Sequence, residues 1–240
     1  MNIIVVGNAQ ETGKTALKII KETLASKPNA VICFPTGSTP LPLYQEMIAD
    51  FRANLTNYSK VITFNLDEYK GLGDKHPQSY RYFMDNNLFY QINVEKNNIN
   101  IPNGVVKDAK TECLRYHNLL AEHRRDIQIL GIGSNGHIGF NEPGTSFDSI
   151  THLVSLSSST IRDNSRFFDS IKEVPKQAIT MGLSEIMDSE KIILIATGIN
   201  KAHAVLDMVK GPVTEECPAS ILQTHKDVVV ILDKDAASLL

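Results

Sequence analysis

Between residues 131 and 144 the chain reads Gly-Ile-Gly-Ser-Asn-Gly-His-Ile-Gly-Phe-Asn-Glu-Pro-Gly. Asn135, His137 and Glu142 place an amide, an imidazole and a carboxylate close together in sequence. These are the side-chain types of an acid–base relay, in which a histidine moves a proton and its neighbours fix its orientation. Gly131, Gly133, Gly136 and Gly139 allow tight turns and close approach of a ligand to the backbone. The segment follows an apolar run, 126–131, that reads as a short buried strand. A loop at a strand's end is where an open α/β sheet places its chemistry. Gly131, Gly133 and Gly136 also fit the dinucleotide pattern G-x-G-x-x-G. That pattern needs a helix opening at its third glycine, whereas Gly139, Pro143 and Gly144 follow here.

Two further segments carry chemistry. In Phe34-Pro-Thr-Gly-Ser-Thr-Pro40, Thr36, Ser38 and Thr39 supply hydroxyls and Gly37 lets backbone N–H groups face a ligand. Pro40 suits the first position of a following helix, whose N-terminus would point at an anion in the loop. Phe64-Asn-Leu-Asp-Glu-Tyr69 ends a third apolar run with Asp67 and Glu68 at the sheet's carboxyl edge, where a partly desolvated carboxylate is a competent base. Arg166 and Lys201 are cationic candidates for completing an anion pocket, Lys201 because it opens a helix directly after a strand. The Gly7–Thr15 segment ends in Gly-Lys-Thr but has five residues between its glycines where a P-loop needs four. It reads as a helix start with Thr12 as a possible cap.

The elements that must position these residues alternate along the chain. Strand-like runs fall at 3–7, 30–34, 61–66, 127–131, 152–156, 192–197 and 228–232. Helical patterns fall at 12–24, 41–51, 80–89, 109–123 and 201–208. This alternation predicts an α/β fold with an open, mostly parallel twisted sheet and helices on both faces, formed as one domain over residues 1–240. Hydrophobic content of 42% and charged content of 21% are those of an ordinary globular protein. A net charge of −3 gives no hint of a polyanion-binding surface, a small basic pocket apart, so nucleic acid is not an expected partner. Cys33, Cys113 and Cys217 show no paired spacing, Cys33 and Cys113 read as buried thiols, and the histidines form no metal cluster. No signal peptide and no apolar run of membrane-spanning length are present, so a cytoplasmic setting without a membrane partner is expected.

Six blocks, taken together, resemble the glucosamine-6-phosphate deaminase family, of the short, non-allosteric type, across nearly the whole chain. They are Pro35–Pro40, Phe64–Tyr69, His76–Tyr80, Gly133–Pro143, Asn164–Phe168 and Gly198–Ala202, in family order and spacing. The related 6-phosphogluconolactonases share the fold, but the wording of the second and fourth blocks is that of the deaminases.

The resemblance implies conversion of glucosamine 6-phosphate and water to fructose 6-phosphate and ammonia, with no cofactor or metal. His137 would open the sugar ring, oriented by Glu142 and Asn135, and Asp67 would carry a proton from C2 to C1. Thr36, Gly37, Ser38, Thr39, Arg166 and Lys201 would hold the phosphate, with Tyr80 and Gly139 lining the sugar. Asn135 departs from the Asp that other members carry in the relay, which implies an orienting role and an altered pH profile. His152 and Val154 stand where the allosteric branch has a basic pair, and the chain stops at Leu240 while that branch continues. An unregulated monomer or small homo-oligomer is therefore expected. The competing readings are a 6-phosphogluconolactonase-like hydrolase and a non-catalytic sugar-phosphate sensor. The latter would need a DNA-binding module that the chain does not show.

Overall fold

In the computed structural model, residues 1–156, 161, 162, 165, 168 and 170–240 are described, Lys172 by its backbone alone. Seven strands form one parallel sheet: β1 (Asn2–Val6), β2 (Val31–Phe34), β3 (Ile62–Asn65), β5 (Ile99–Asn100), β6 (Arg125–Leu130), β9 (Ser189–Ala196) and β10 (Val228–Asp233). Their spatial order is β1-β10-β9-β6-β2-β3-β5. Parallel strands covered on both faces must be apolar at successive positions. On β9, Ile192 and Leu194 enter one core while Ile193 and Ile195 enter the other, and on β10 Val228 and Val230 oppose Val229 and Ile231.

Helices α1 (Ala9–Ser26), α2 (Leu41–Arg52) and α3 (Tyr80–Asn87) build one of those layers, through Ile20, Met47 and Met84 among others. The other is built by α4 (Ala109–Glu122), α5 (Leu183–Met187) and α6 (Ala202–Lys210), through Leu120, Ile186 and Val205. The Gly-Lys-Thr segment is interior to α1. Asn8, not Thr12, caps that helix: its side chain accepts the N–H of Glu11, and Glu11 accepts that of Gly7. Thr12 is already inside the first turn, bonded to the Ala9 carbonyl. A Cβ on Gly13 would lie 2.5 Å from the Pro42 carbonyl carbon, so this glycine permits close packing of α1 on α2 and cradles no phosphate.

The run at 152–156 does not join the parallel sheet. It forms β7 (His152–Ser155), which pairs antiparallel with β8 (Gln177–Thr180), and β8 pairs antiparallel with β4 (Asp67–Tyr69). Alternating half-burial along β7 fits a strand with one covered face, where the central strands are apolar throughout. The chain thus leaves the large sheet at Asn65 and enters the small one at Asp67, which places that carboxylate at the junction.

Candidate active site

Four strands adjacent in the sheet, β9, β6, β2 and β3, end on the same side and deliver the candidate residues. From β2 the chain turns toward β3, and from β6 toward β9, so the site lies where the winding reverses. A cavity of about 270 Å3 opens there. Its lining includes Thr36, Gly37, Ser38 and Thr39 after β2, Asp67 after β3, Gly133, Ser134, His137, Gly139 and Phe140 after β6, and Lys201 after β9. Tyr80, at the start of α3, closes one wall.

The loop after β2 is held from behind. The Tyr44 hydroxyl donates to the Pro35 carbonyl and Asn65 Nδ2 donates to that of Phe34, at 2.7 Å. Gly37 has φ 91°, and a Cβ there would meet no atom within 4 Å, so its backbone borders open space. Pro40 occupies the position just before α2, and no side chain caps that start. The first-turn N–H groups and the helix dipole then favour an anion in the loop.

Asn135, His137 and Glu142 form one hydrogen-bonded chain. Asn135 Nδ2 donates to Glu142 Oε2 at 2.8 Å, leaving Asn135 Oδ1 to accept from His137 Nδ1 at 2.7 Å. The imidazole proton is thereby assigned to Nδ1, and Nε2 is left as the acceptor. Only His137 of the three lines the cavity. Gly133 makes this placement possible: a Cβ there would fall 2.3 Å from both Nδ1 and Cε1 of the ring. Gly139, at φ 59°, keeps the turn close to the base, since a Cβ there would lie 3.7 Å from Asp67 Oδ2.

Asp67 is 7% exposed. Burial, and then the negative charge of Glu68, push its carboxyl up to about 8. A carboxylate with so high a proton affinity is a far stronger base than one in water. Tyr80 stacks on Phe140 at 6.1 Å between centroids and meets Tyr69 at 4.7 Å. Burial, then the neighbouring Tyr69 and Asp67, hold the Tyr80 phenol well above its ordinary range, so it stays a neutral hydroxyl.

Of the sequence-derived site residues, Thr36 to Thr39, Asp67, Tyr80, His137, Gly139 and Lys201 meet in the cavity, while Asn135 and Glu142 stand behind His137. Arg166 lies outside the described residues. Glu68 faces away from the cavity and takes up the start of α3. Sequence reasoning did not anticipate Thr180, whose Oγ1 accepts the Phe140 N–H, or Asn141, which ties Ile138 to Met181. Both depend on β8, a four-residue strand with no strong periodicity. Among the described residues no three His, Cys, Asp or Glu side chains converge as metal ligands.

The model of the glucosamine-6-phosphate isomerases/6-phosphogluconolactonase family matches residues 7–231. A glucosamine-6-phosphate deaminase of Clostridium botulinum (strain Langeland) is 52% identical, over all of this chain and 99% of its own length. One from Thermoanaerobacter sp. (strain X514) is 49% identical, over all of this chain and 95% of its own. Among solved structures, a monomeric glucosamine-6-phosphate deaminase superposes with a TM-score of 0.97 at 42% identity, each chain covered completely. The 6-phosphogluconolactonase of Trypanosoma brucei reaches 0.82 at 19% identity, covering all of this chain and 98% of its own, a likeness of fold alone.

Proposed function

Because the chain belongs to the glucosamine-6-phosphate isomerase/6-phosphogluconolactonase family, we propose that it is an isomerising deaminase that converts glucosamine 6-phosphate and water to fructose 6-phosphate and ammonia. The observation that carries this reading is the meeting, in one cavity, of a proton-holding carboxyl (Asp67), an oriented imidazole (His137) and a hydroxyl-rich loop at a helix N-terminus. Deaminases near 50% identity over the full chain support it over the lactonase alternative, whose representative shares the fold at 19% identity.

In this reading the phosphate binds the 36–39 loop and Lys201, with Arg166 as a further candidate. A dianion fixed at one end lets binding energy position the reacting carbons at the other. His137 Nε2 takes the anomeric hydroxyl proton and returns one to the ring oxygen, opening the ring to the aldehyde. Glu142 and Asn135 hold the imidazole for that transfer. Asp67, as carboxylate, removes the C2 proton while the C2 ammonium gives a proton to the C1 oxygen, so that the C1 carbonyl becomes the hydroxyl of an enolamine. Protonation at C1 by the same carboxyl gives a C2 ketimine. Water adds at C2 and ammonia leaves, which balances the reaction without redox chemistry. The amino group also bears on the base: an ammonium at C2 brings positive charge beside Asp67 and favours the carboxylate form that the step requires.

The same reading takes residues 1–240 as one domain, a monomer or small homo-oligomer acting in the cytoplasm without a cofactor. No helix among the described residues is long and apolar enough to cross a membrane. The test is to supply glucosamine 6-phosphate with EDTA present and measure ammonia and ketose, with 6-phosphogluconolactone in parallel. Equal amounts of ammonia and fructose 6-phosphate are expected. Lactone hydrolysis without ammonia would overturn the reading.

A further inference from the structure

Glu68 is 2% exposed, and no salt bridge to it is found among the described residues. Arg81, the nearest basic residue in its hydrogen-bond network, directs its guanidinium to Asp85 instead. The Glu68 carboxylate is satisfied by backbone. Oε1 accepts the N–H groups of Tyr69 at 2.8 Å and Tyr80 at 2.9 Å, and Oε2 accepts that of Arg81 at 2.9 Å. Tyr80 and Arg81 are the first two residues of α3, while Ser79 caps the next donor, Tyr82. A neutral cap would satisfy those donors at lower desolvation cost, so a buried anion here needs another consequence. Its neighbour in sequence provides one. Asp67 and Glu68 are consecutive on β4, point to opposite faces of that strand, and are both buried.

We propose that Glu68 is a positioning residue for the reaction: its carboxylate fixes the start of α3, and so Tyr80, against the cavity, and its charge sets the pH range in which Asp67 works as the base. The proposal rests on the deaminase reading for its catalytic half alone. The titratable groups around Asp67 are Glu68 and Tyr69 on its own strand, Tyr80 on α3, Cys33 on β2, His137 after β6 and Lys201 at the start of α6. Of these, Glu68 is the one whose negative charge raises the Asp67 carboxyl. Burial pushes Glu68 itself up to about 7, and the three N–H donors restrain that rise. Burial therefore raises both carboxyls, and the charge of Glu68 raises that of Asp67 further, so Asp67 does not titrate independently of its neighbour.

The experiment is the pH profile of kcat/KM for ammonia release by the wild type and Glu68→Gln, which keeps side-chain shape and one acceptor oxygen. The limb governed by Asp67 should move to lower pH by about one unit, and KM should rise as the start of α3 loosens. Lower activity with an unmoved limb would reduce Glu68 to a helix anchor and overturn the proposal. Carbon-13 carboxyl titration of the wild type provides a second readout that needs neither folding of the variant nor turnover. The Asp67 resonance should titrate in two steps, the one at lower pH tracking Glu68, and a single independent step would overturn the coupling. A wild type that releases no ammonia but titrates in two steps would sink the deaminase reading and leave the carboxyl pair standing.

Discussion

Replacing Asp67 by Asn should remove turnover and make the protein more stable at neutral and alkaline pH. The carboxyl is buried and its proton affinity in the folded chain is raised from 3.8 to about 8. Between those values the folded state holds a proton that the unfolded chain has released. Stability contributed by this group is therefore complete below pH 3.8 and is lost as the pH climbs through about 8. The slope is about 1.4 kcal/mol per pH unit for one proton, and the whole interval sets a ceiling of roughly 6 kcal/mol. Asparagine does not titrate, so the variant lacks that decline. Urea unfolding of both proteins between about pH 5.5 and about pH 8 should show the variant gaining roughly 3 kcal/mol on the wild type. In the same preparations ammonia release should fall at least ~10²-fold, the usual size of an acid–base contribution. Parallel stability curves would refute the raised proton affinity, and near wild-type turnover would refute the role of the base.

Other perturbations separate the remaining parts of the site. Gly133→Ala places a methyl group 2.3 Å from His137 Nδ1, so the ring must leave its bond to Asn135 and kcat should fall at least ~10²-fold; unchanged turnover would show that ring placement is not needed. Asn135→Asp puts a second carboxylate beside Glu142 and an anion against His137 Nδ1. This favours the imidazolium, so the acidic limb of the rate profile should move to higher pH; an unmoved limb would remove His137 from the rate-determining acid–base chemistry. Lys201→Ala should raise KM roughly 10- to 100-fold, the equivalent of a lost charge-assisted contact of about 1.5–3 kcal/mol, with kcat changed little. An unaltered KM would take Lys201 out of the phosphate pocket.

What the sequence made legible was local. Asn135, His137 and Glu142 lie within one loop, and the hydroxyls at 36–39 within another, so their association needed no knowledge of distant packing. The five long helical patterns and the central strands were legible for a similar reason: an amphipathic or continuously apolar run has only one way to be buried. The strands β4, β5 and β8 escaped, because each is too short for a period to declare itself and none is a run of apolar residues. That omission hid the small antiparallel sheet, and with it the hydroxyl of Thr180 and the side chain of Asn141. It also left unread that the run at 152–156 pairs antiparallel with β8, outside the large sheet.

Asp67 and Glu68 show most clearly where local reading stops. In the sequence they are equivalent acids at the end of one apolar run. Strand alternation sends them to opposite faces of β4, one into the cavity and one to the backbone of α3. The loss of water that raises both carboxyls comes from the layers closing over them, which no window of residues around position 67 contains. Chemistry could be read from residue type, but basicity is a property of burial. Of the short strands that the sequence hid, β4 carries this pair and β8 is its partner. Loosening β4 against β8, for instance through Thr180, which is hydrogen-bonded to the Phe140 N–H beside Asp67, should therefore weaken the base without touching a catalytic group.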